Sequence, residues 1–280
     1  MKHFLITRFN LKNKQTLKDN LILNPLSNDW LENRFELFEK YCLPSVINQS
    51  KQNFIWCLCF DIDTPIEYKN KIDSILKNYK NYNAIYIDGF QNLKIGVKNF
   101  ISTQITNNDK FIITSRLDND DILNKDFIST IQKKFITQHN TIIDLNNGYK
   151  FYLKDNPQKS ELLIFNSKLN PFVSIIEHSS NFKTILDKPH NKWDNTYKKV
   201  NYSEKALWIQ VIHEQNAFNR KLNYLNKAFS LNNYEDFSLN IPLNLESKNK
   251  IILDNLYSIL PKLYYRLKLF IKNIKKIISS

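Results

Sequence analysis

Phe111-Ile-Ile-Thr-Ser-Arg-Leu-Asp-Asn-Asp-Asp-Ile-Leu123 is the stretch that decides the fold. An apolar, β-branched run, Phe111 to Thr114, leads through Arg116 to three carboxylates, Asp118, Asp120 and Asp121. A short buried strand that delivers acids at its C-terminal end is a common holder of a hard divalent cation. In an open α/β sheet that end is also where ligands bind. Asp118 and Asp120 are two apart, so on an extended strand they share a face. If the chain turns there, they can still converge on one ion. An isolated Asp-x-Asp is more often a solvated turn, since Asp and Asn favour turns. The rest of the chain weighs against that reading.

Outward from this stretch, short apolar strands alternate with helical spacing. Phe4–Thr7, Phe54–Phe60 and Ala84–Ile87 read as strands, ending respectively near Arg8, at Asp61 and at Asp88. Between and after them, Trp30–Ile47, 66–79, 93–106 and Lys125–Gln138 carry apolar residues close to helical spacing. Four strands alternating with helices predict a mostly parallel sheet covered on both faces. Beyond Thr141 three strands follow closely, Thr141–Leu145, Tyr149–Leu153 and Glu161–Asn166, which predicts an antiparallel or mixed extension. Tyr202–Asn219 reads as helical around Ala206–His213.

Composition bounds the answer. The 280 residues are 42% hydrophobic and 24% charged, enough for one large domain or a domain with an appendage. The three glycines, Gly89, Gly96 and Gly148, are isolated, so there is no Gly-rich phosphate loop and no dinucleotide fingerprint. Cys42, Cys57 and Cys59 lie in apolar segments without metal-ligand spacing and read as small core residues in a reducing compartment. The apolar run after Met1 is too short for a secretory signal, and no window is long and apolar enough to span a membrane. A cytosolic chain is expected.

The ordered set of motifs carries a resemblance. Ile6-Thr-Arg-Phe-Asn10, Arg34 with Leu37-Phe-Glu-Lys-Tyr-Cys-Leu-Pro-Ser45, Gln49, Phe54-Ile-Trp56, Asp61-x-x-Thr64, Arg116-Leu-Asp118 and Trp208-Ile-Gln-Val-Ile-His213 resemble a bacterial rhamnosyltransferase-like group. The strand order, with acids ending the second, third and fourth, is similar to GT-A glycosyltransferases. Arg116-Leu-Asp-Asn-Asp-Asp is similar to the metal motif of glycosyltransferase family 2. The resemblance spans about residues 3–220. It implies an α/β, GT-A-like domain over 1–250, with a nucleotide-binding half at about 1–125 and an acceptor half at about 126–250.

The same resemblance implies the chemistry: a nucleotide-diphosphate sugar donor, Mn²⁺ or Mg²⁺, and a glycan or lipid-linked acceptor of the bacterial envelope, such as capsule or lipopolysaccharide. Asp118, Asp120 and a late histidine, His213, would hold the metal, which neutralises the leaving diphosphate as a Lewis acid. Thr7, Arg8, Asp61, Asp88, Arg116 and Asp118 would line the nucleotide pocket, the arginines through forked donors. Glu204, anchored by Leu207-Trp208, falls on the position of the general base for an inverting single displacement. The acid that usually precedes it is Ser203 here. Glu177-His178 is a second acid/base candidate. Trp193 and Trp208 suit sugar stacking or the core.

The tail is separate. From Asn255 to Ser280 there is no acid, against Lys262, Arg266, Lys268, Lys272, Lys275 and Lys276. Leu256, Ile259, Leu260, Leu263, Leu267, Phe270, Ile274 and Ile278 recur at helical spacing. Residues 251–280 therefore read as a basic amphipathic helix, which either lies on the anionic cytoplasmic face of an inner membrane or docks on the domain. The pI of about 9.4 raises nucleic-acid binding, but charge alone supports only non-specific binding and no such motif is present. A metal-dependent nuclease or phosphatase would need more converging acids. A non-catalytic glycan- or nucleotide-binding module with a degenerate transferase fold is the remaining alternative.

Overall fold

In the computed structural model the chain is described at residues 1–13, 24–154, 160–213, 225–228, 234–239 and 248–278. In chain order the strands are β1 (Lys2–Arg8), β2 (Ile55–Asp61), β3 (Tyr82–Ile87), β4 (Phe111–Asp118), β5 (Ile122–Leu123), β6 (Thr141–Leu145), β7 (Asn147–Tyr152), β8 (Glu161–Asn166), β9 (Ser174–His178), β10 (Lys198–Tyr202) and β11 (Trp208–Ile212). The α-helices are α1 (Asn28–Leu37), α2 (Leu43–Ile47), α3 (Ile66–Leu76), α4 (Leu93–Gln104), α5 (Phe127–Lys133), α6 (Lys248–Tyr257) and α7 (Ile259–Ile278).

Seven strands form one sheet in the order β10-β6-β9-β4-β1-β2-β3. β1 to β4 are mutually parallel where they pair, and β9 runs antiparallel between β4 and β6. β1 and β2 are buried along nearly their whole length, as a sheet covered on both faces requires. One face packs Leu5, Trp56, Leu58 and Ile113 against Phe35 and Phe38; the other packs Phe4, Ile6, Cys57 and Cys59 against Val97 and Ile101 of α4. The cysteines are free and buried, as expected.

The long helix expected over Trp30–Ile47 is present but carries a π-helical turn, Phe38–Cys42, between α1 and α2. Pro44 sits in the first turn of α2 and has no N–H to donate, so the widened turn lets the helix continue past it.

One expectation fails here. Ala206–His213 is not helical: Trp208–Ile212 is β11, in a second sheet ordered β5-β11-β7-β8. Its alternation is masked because Trp208, Ile209, Val211 and Ile212 are buried on both faces, and periodicity does not separate such a run from a buried helix. Residues 214–219 lie outside the described part. The second sheet grows directly out of the acidic stretch, because β5 follows Asp121 and pairs antiparallel with β11.

Candidate active site

The C-terminal edge of β1, β2 and β4 gathers most of the charge. Arg8 ends β1 and is in register with Asp118 at the end of β4. Its Nη2 donates to Asp118 Oδ1 at 2.9 Å. Arg116, two residues before Asp118 and so on its face, lies 3.8 Å from Oδ2. Burial pushes the Asp118 carboxyl up, but Arg8 and Arg116 outweigh it and hold it at about 2. With one N–H of Arg8 engaged, most donors of both forks remain for a ligand.

Beyond Asp118 the chain turns, Asp121 N–H donating to Asp118 O at 3.1 Å. The turn gives Asp120 a different guanidinium partner from that of Asp118. The Asp120 Oδ2 accepts from Arg34 Nη1 at 2.6 Å and lies 2.9 Å from His213 Nε2. Arg34 also reaches Asn119 Oδ1 at 3.3 Å, and its guanidinium lies 5.0 Å from the Trp30 ring. Asp121 is buried, accepts Val211 N–H at 2.8 Å, and is pushed well above the usual carboxylate range by burial, Asp120 and Asp118.

Asp118 and Asp120 are therefore paired to different cations as they stand. Each carboxylate is occupied by guanidinium, and among the described residues no three His, Cys, Asp or Glu side chains form a group able to hold a metal. The trio expected from the sequence, Asp118, Asp120 and His213, does not fit Mn²⁺ or Mg²⁺ in this arrangement.

The other expected residues separate into builders and bystanders. Asp61 is fully buried and accepts backbone N–H groups from Lys12 (3.0 Å), Asp63 (3.1 Å) and Gly89 (3.2 Å). It ties the loop after β1 to the loop after β3, leaving little for a ribose. Thr7 is buried, its hydroxyl accepting Trp56 Nε1–H at 2.9 Å. Asp88 is exposed beside Gly89, whose φ of 70° suits glycine. Next to it Phe90 is 40% exposed and faces the Arg8 guanidinium at 5.7 Å. Trp193 and Trp208 are buried, which decides for packing. Glu177 and His178 pair with Ile112 and Phe111, at the opposite end of β4.

Glu204 is not brought to the cluster. It is exposed in the loop before β11, where Lys205 pairs with Asp126 and Asp236. Most of β11 lies between that loop and the Val211 N–H that meets Asp121.

His190, which no sequence signal singled out, is nearer. It opens the 3₁₀ turn His190–Lys192 and is half-buried. Its Nδ1 lies 2.5 Å from Leu169 O. A carbonyl only accepts, so Nδ1 carries the proton and Nε2 keeps its lone pair. Burial lowers its proton affinity below the ordinary histidine value; Arg116 lowers it further and Asp118 raises it, so both lie within electrostatic reach.

The family model described as "Putative rhamnosyl transferase" matches residues 3–223, most of the chain. The chain belongs to this family. Its fold is α/β, a mostly parallel sheet flanked by helices. Among solved structures, residues 1–349 of TarS from S. aureus in complex with UDP are similar over 76% of this chain and 61% of that one, at 15% identity and a TM-score of 0.43. A nucleotide-diphospho-sugar transferase from Desulfovibrio desulfuricans G20 is similar over 76% of this chain and 80% of that one, at 10% identity and a TM-score of 0.34. The chain thus spans about 60% of the TarS fragment and is distant from both. No curated protein matches the sequence.

Proposed function

We propose that this rhamnosyl transferase family member moves a sugar from a nucleotide-diphosphate donor to a glycan or lipid-linked acceptor of the bacterial envelope, with inversion. The observation that carries this reading is the pair of guanidiniums, Arg8 and Arg116, held side by side by Asp118 at the C-terminal edge of adjacent parallel strands. Two forked cations suit the two phosphates of the donor. Phe90 offers the base an exposed ring, and Asp61 fixes the loops on either side.

In this reading an acceptor hydroxyl attacks the anomeric carbon as the bond to the diphosphate oxygen breaks. The hydroxyl proton passes to His190 Nε2 in place of Glu204, and Arg8 and Arg116 stabilise the charge developing on the diphosphate. The metal dependence suggested by Asp-x-Asp is not part of it, because an ion would first have to displace guanidinium from Asp118. Direct titration with UDP, GDP and dTDP tests the donor half. One of them should bind, and Arg8→Met should weaken it at least tenfold. Equal affinity in the variant would remove the guanidinium pair from the reading. Binding without any sugar transfer would favour the non-catalytic module.

We further propose that α7 lies on an anionic bilayer at the cytoplasmic face of the inner membrane. No described helix is long and apolar enough to cross one. Among the described residues the stripe is exposed: Leu260 is 76% exposed, Leu263 56%, Leu267 57% and Phe270 62%. An exposed apolar stripe in a segment with six cations and no acid matches a negatively charged leaflet. The full chain should sediment with phosphatidylglycerol vesicles and not with phosphatidylcholine ones. High salt, or Leu260→Glu with Leu267→Glu, should release it. Indifference to lipid charge, or self-association through the stripe instead, would contradict this.

A further inference from the structure

The donor reading leaves one face of the second sheet unexplained. Lys150 of β7 lies opposite Gln210 of β11 and Leu163 of β8, while Gly148 lies opposite Phe165. Residues two apart share a face, so Gly148, Lys150, Phe165, Trp208 and Gln210 all look the same way. Gly148 has no Cβ because Trp208 lies across it: a Cβ there would come within 2.2 Å of the indole. Phe172 stacks on that indole at 4.5 Å, and Phe165 meets it edge-on. The Lys150 ammonium stands 4.4 Å from the centre of the Phe165 ring.

Lys150 is only 7% exposed. Among the described residues its ammonium makes no hydrogen bond or ion pair; the Phe165 ring and the field of Asp121 are what it senses. Burial lowers its proton affinity, as expected for a cation short of partners. The neighbouring Gln210 is half-buried, and its side-chain amide is likewise unpaired among the described residues. A buried cation without a partner is costly, and packing alone would be better served by an apolar residue of similar length. The face also adjoins the donor group, since β11 receives Asp121 through the Val211 N–H.

We propose that Lys150 and Gln210, backed by the Phe165 ring, bind an anionic substituent of the acceptor, a carboxylate or a phosphodiester. This rests on the transferase reading and assigns the second sheet to the acceptor. The ammonium supplies the charge, the amide a directed hydrogen bond, and the aromatic surface packs against a sugar face.

The test titrates the full chain, with and without UDP, against an oligouronate, a glycerol-phosphate oligomer and a neutral maltodextrin. One of the two anionic probes should bind, and its identity names the source of the charge. Lys150→Met should weaken that binding at least tenfold while leaving UDP affinity unchanged, and Lys150→Arg should retain most of it. Lys150→Met should also melt at or above the wild-type temperature, because an unpaired cation has been removed. The proposal is overturned if neither anionic probe binds, if the neutral probe binds equally well, if the methionine variant binds like wild type, or if it melts several degrees lower. If none of UDP, GDP and dTDP binds the wild type, the donor reading fails and the oligosaccharide titration is judged on its own.

Discussion

Replacing Arg34 with methionine should cost about 3–5 kcal/mol of folding stability, the usual penalty for breaking a buried ion pair from one side. Arg34 and Asp120 side chains are 10% and 7% exposed, and their 2.6 Å contact is shared with His213 at 2.9 Å. Methionine keeps the packing stem over Trp30 but leaves the Asp120 carboxylate buried without its guanidinium. The Asn119–Asp120 turn loses the group that spans it. Urea denaturation of the variant against wild type measures the effect. Adding Asp120→Asn should recover much of the loss, since the ion pair is then removed from both sides. A loss under about 1 kcal/mol, the range of exposed pairs, would mean that Arg34 is not the strut of the acidic turn.

His190→Gln should lower kcat by about 10²–10⁴, the range for a positioned general base, with nucleotide affinity preserved. Glutamine can still donate to Leu169 O, so the turn is retained, but it offers no basic nitrogen. The wild-type rate should rise with pH through the His190 ionisation, which burial places below the ordinary histidine value. Below that point the imidazole is protonated and cannot accept; above it the lone pair on Nε2 is free. The glutamine variant should lose that limb, and Glu204→Gln should leave both rate and pH profile unchanged. If Glu204→Gln abolishes transfer while His190→Gln is near wild type, the base belongs to the loop before β11 and must reach the site by a rearrangement.

The sheet was legible in the sequence because its strands are short apolar runs ending in charge. Phe54–Phe60 and Phe111–Thr114 announce themselves, and β4 simply runs on through Arg116 to Asp118. β11 was not legible, because a strand buried on both faces has no alternation to read. The site was legible as a list of charges rather than as pairings. Asp118 and Asp120 look like one motif at a spacing of two, yet the turn between them sends one carboxylate to Arg8 and Arg116 and the other to Arg34 and His213. Those pairings join residues 85 or more apart in sequence in the cases of Arg34–Asn119 and Arg34–Asp120, and no local pattern encodes them. His190 and Lys150 were missed for the same reason: a lone histidine after a proline and a lone lysine in a strand acquire meaning only from what the fold sets beside them.

The proposed diphosphate site at Arg8 and Arg116 is open to a thermal-shift assay with nucleotides in EDTA. A ligand that binds only the folded chain raises its melting temperature. One nucleoside diphosphate among UDP, GDP and dTDP should raise it in the absence of divalent ions. Its monophosphate should do so far less, and Arg116→Met should erase the difference. No shift with any diphosphate in folded protein, or a shift that appears only when Mn²⁺ is added and ignores both arginines, would contradict it.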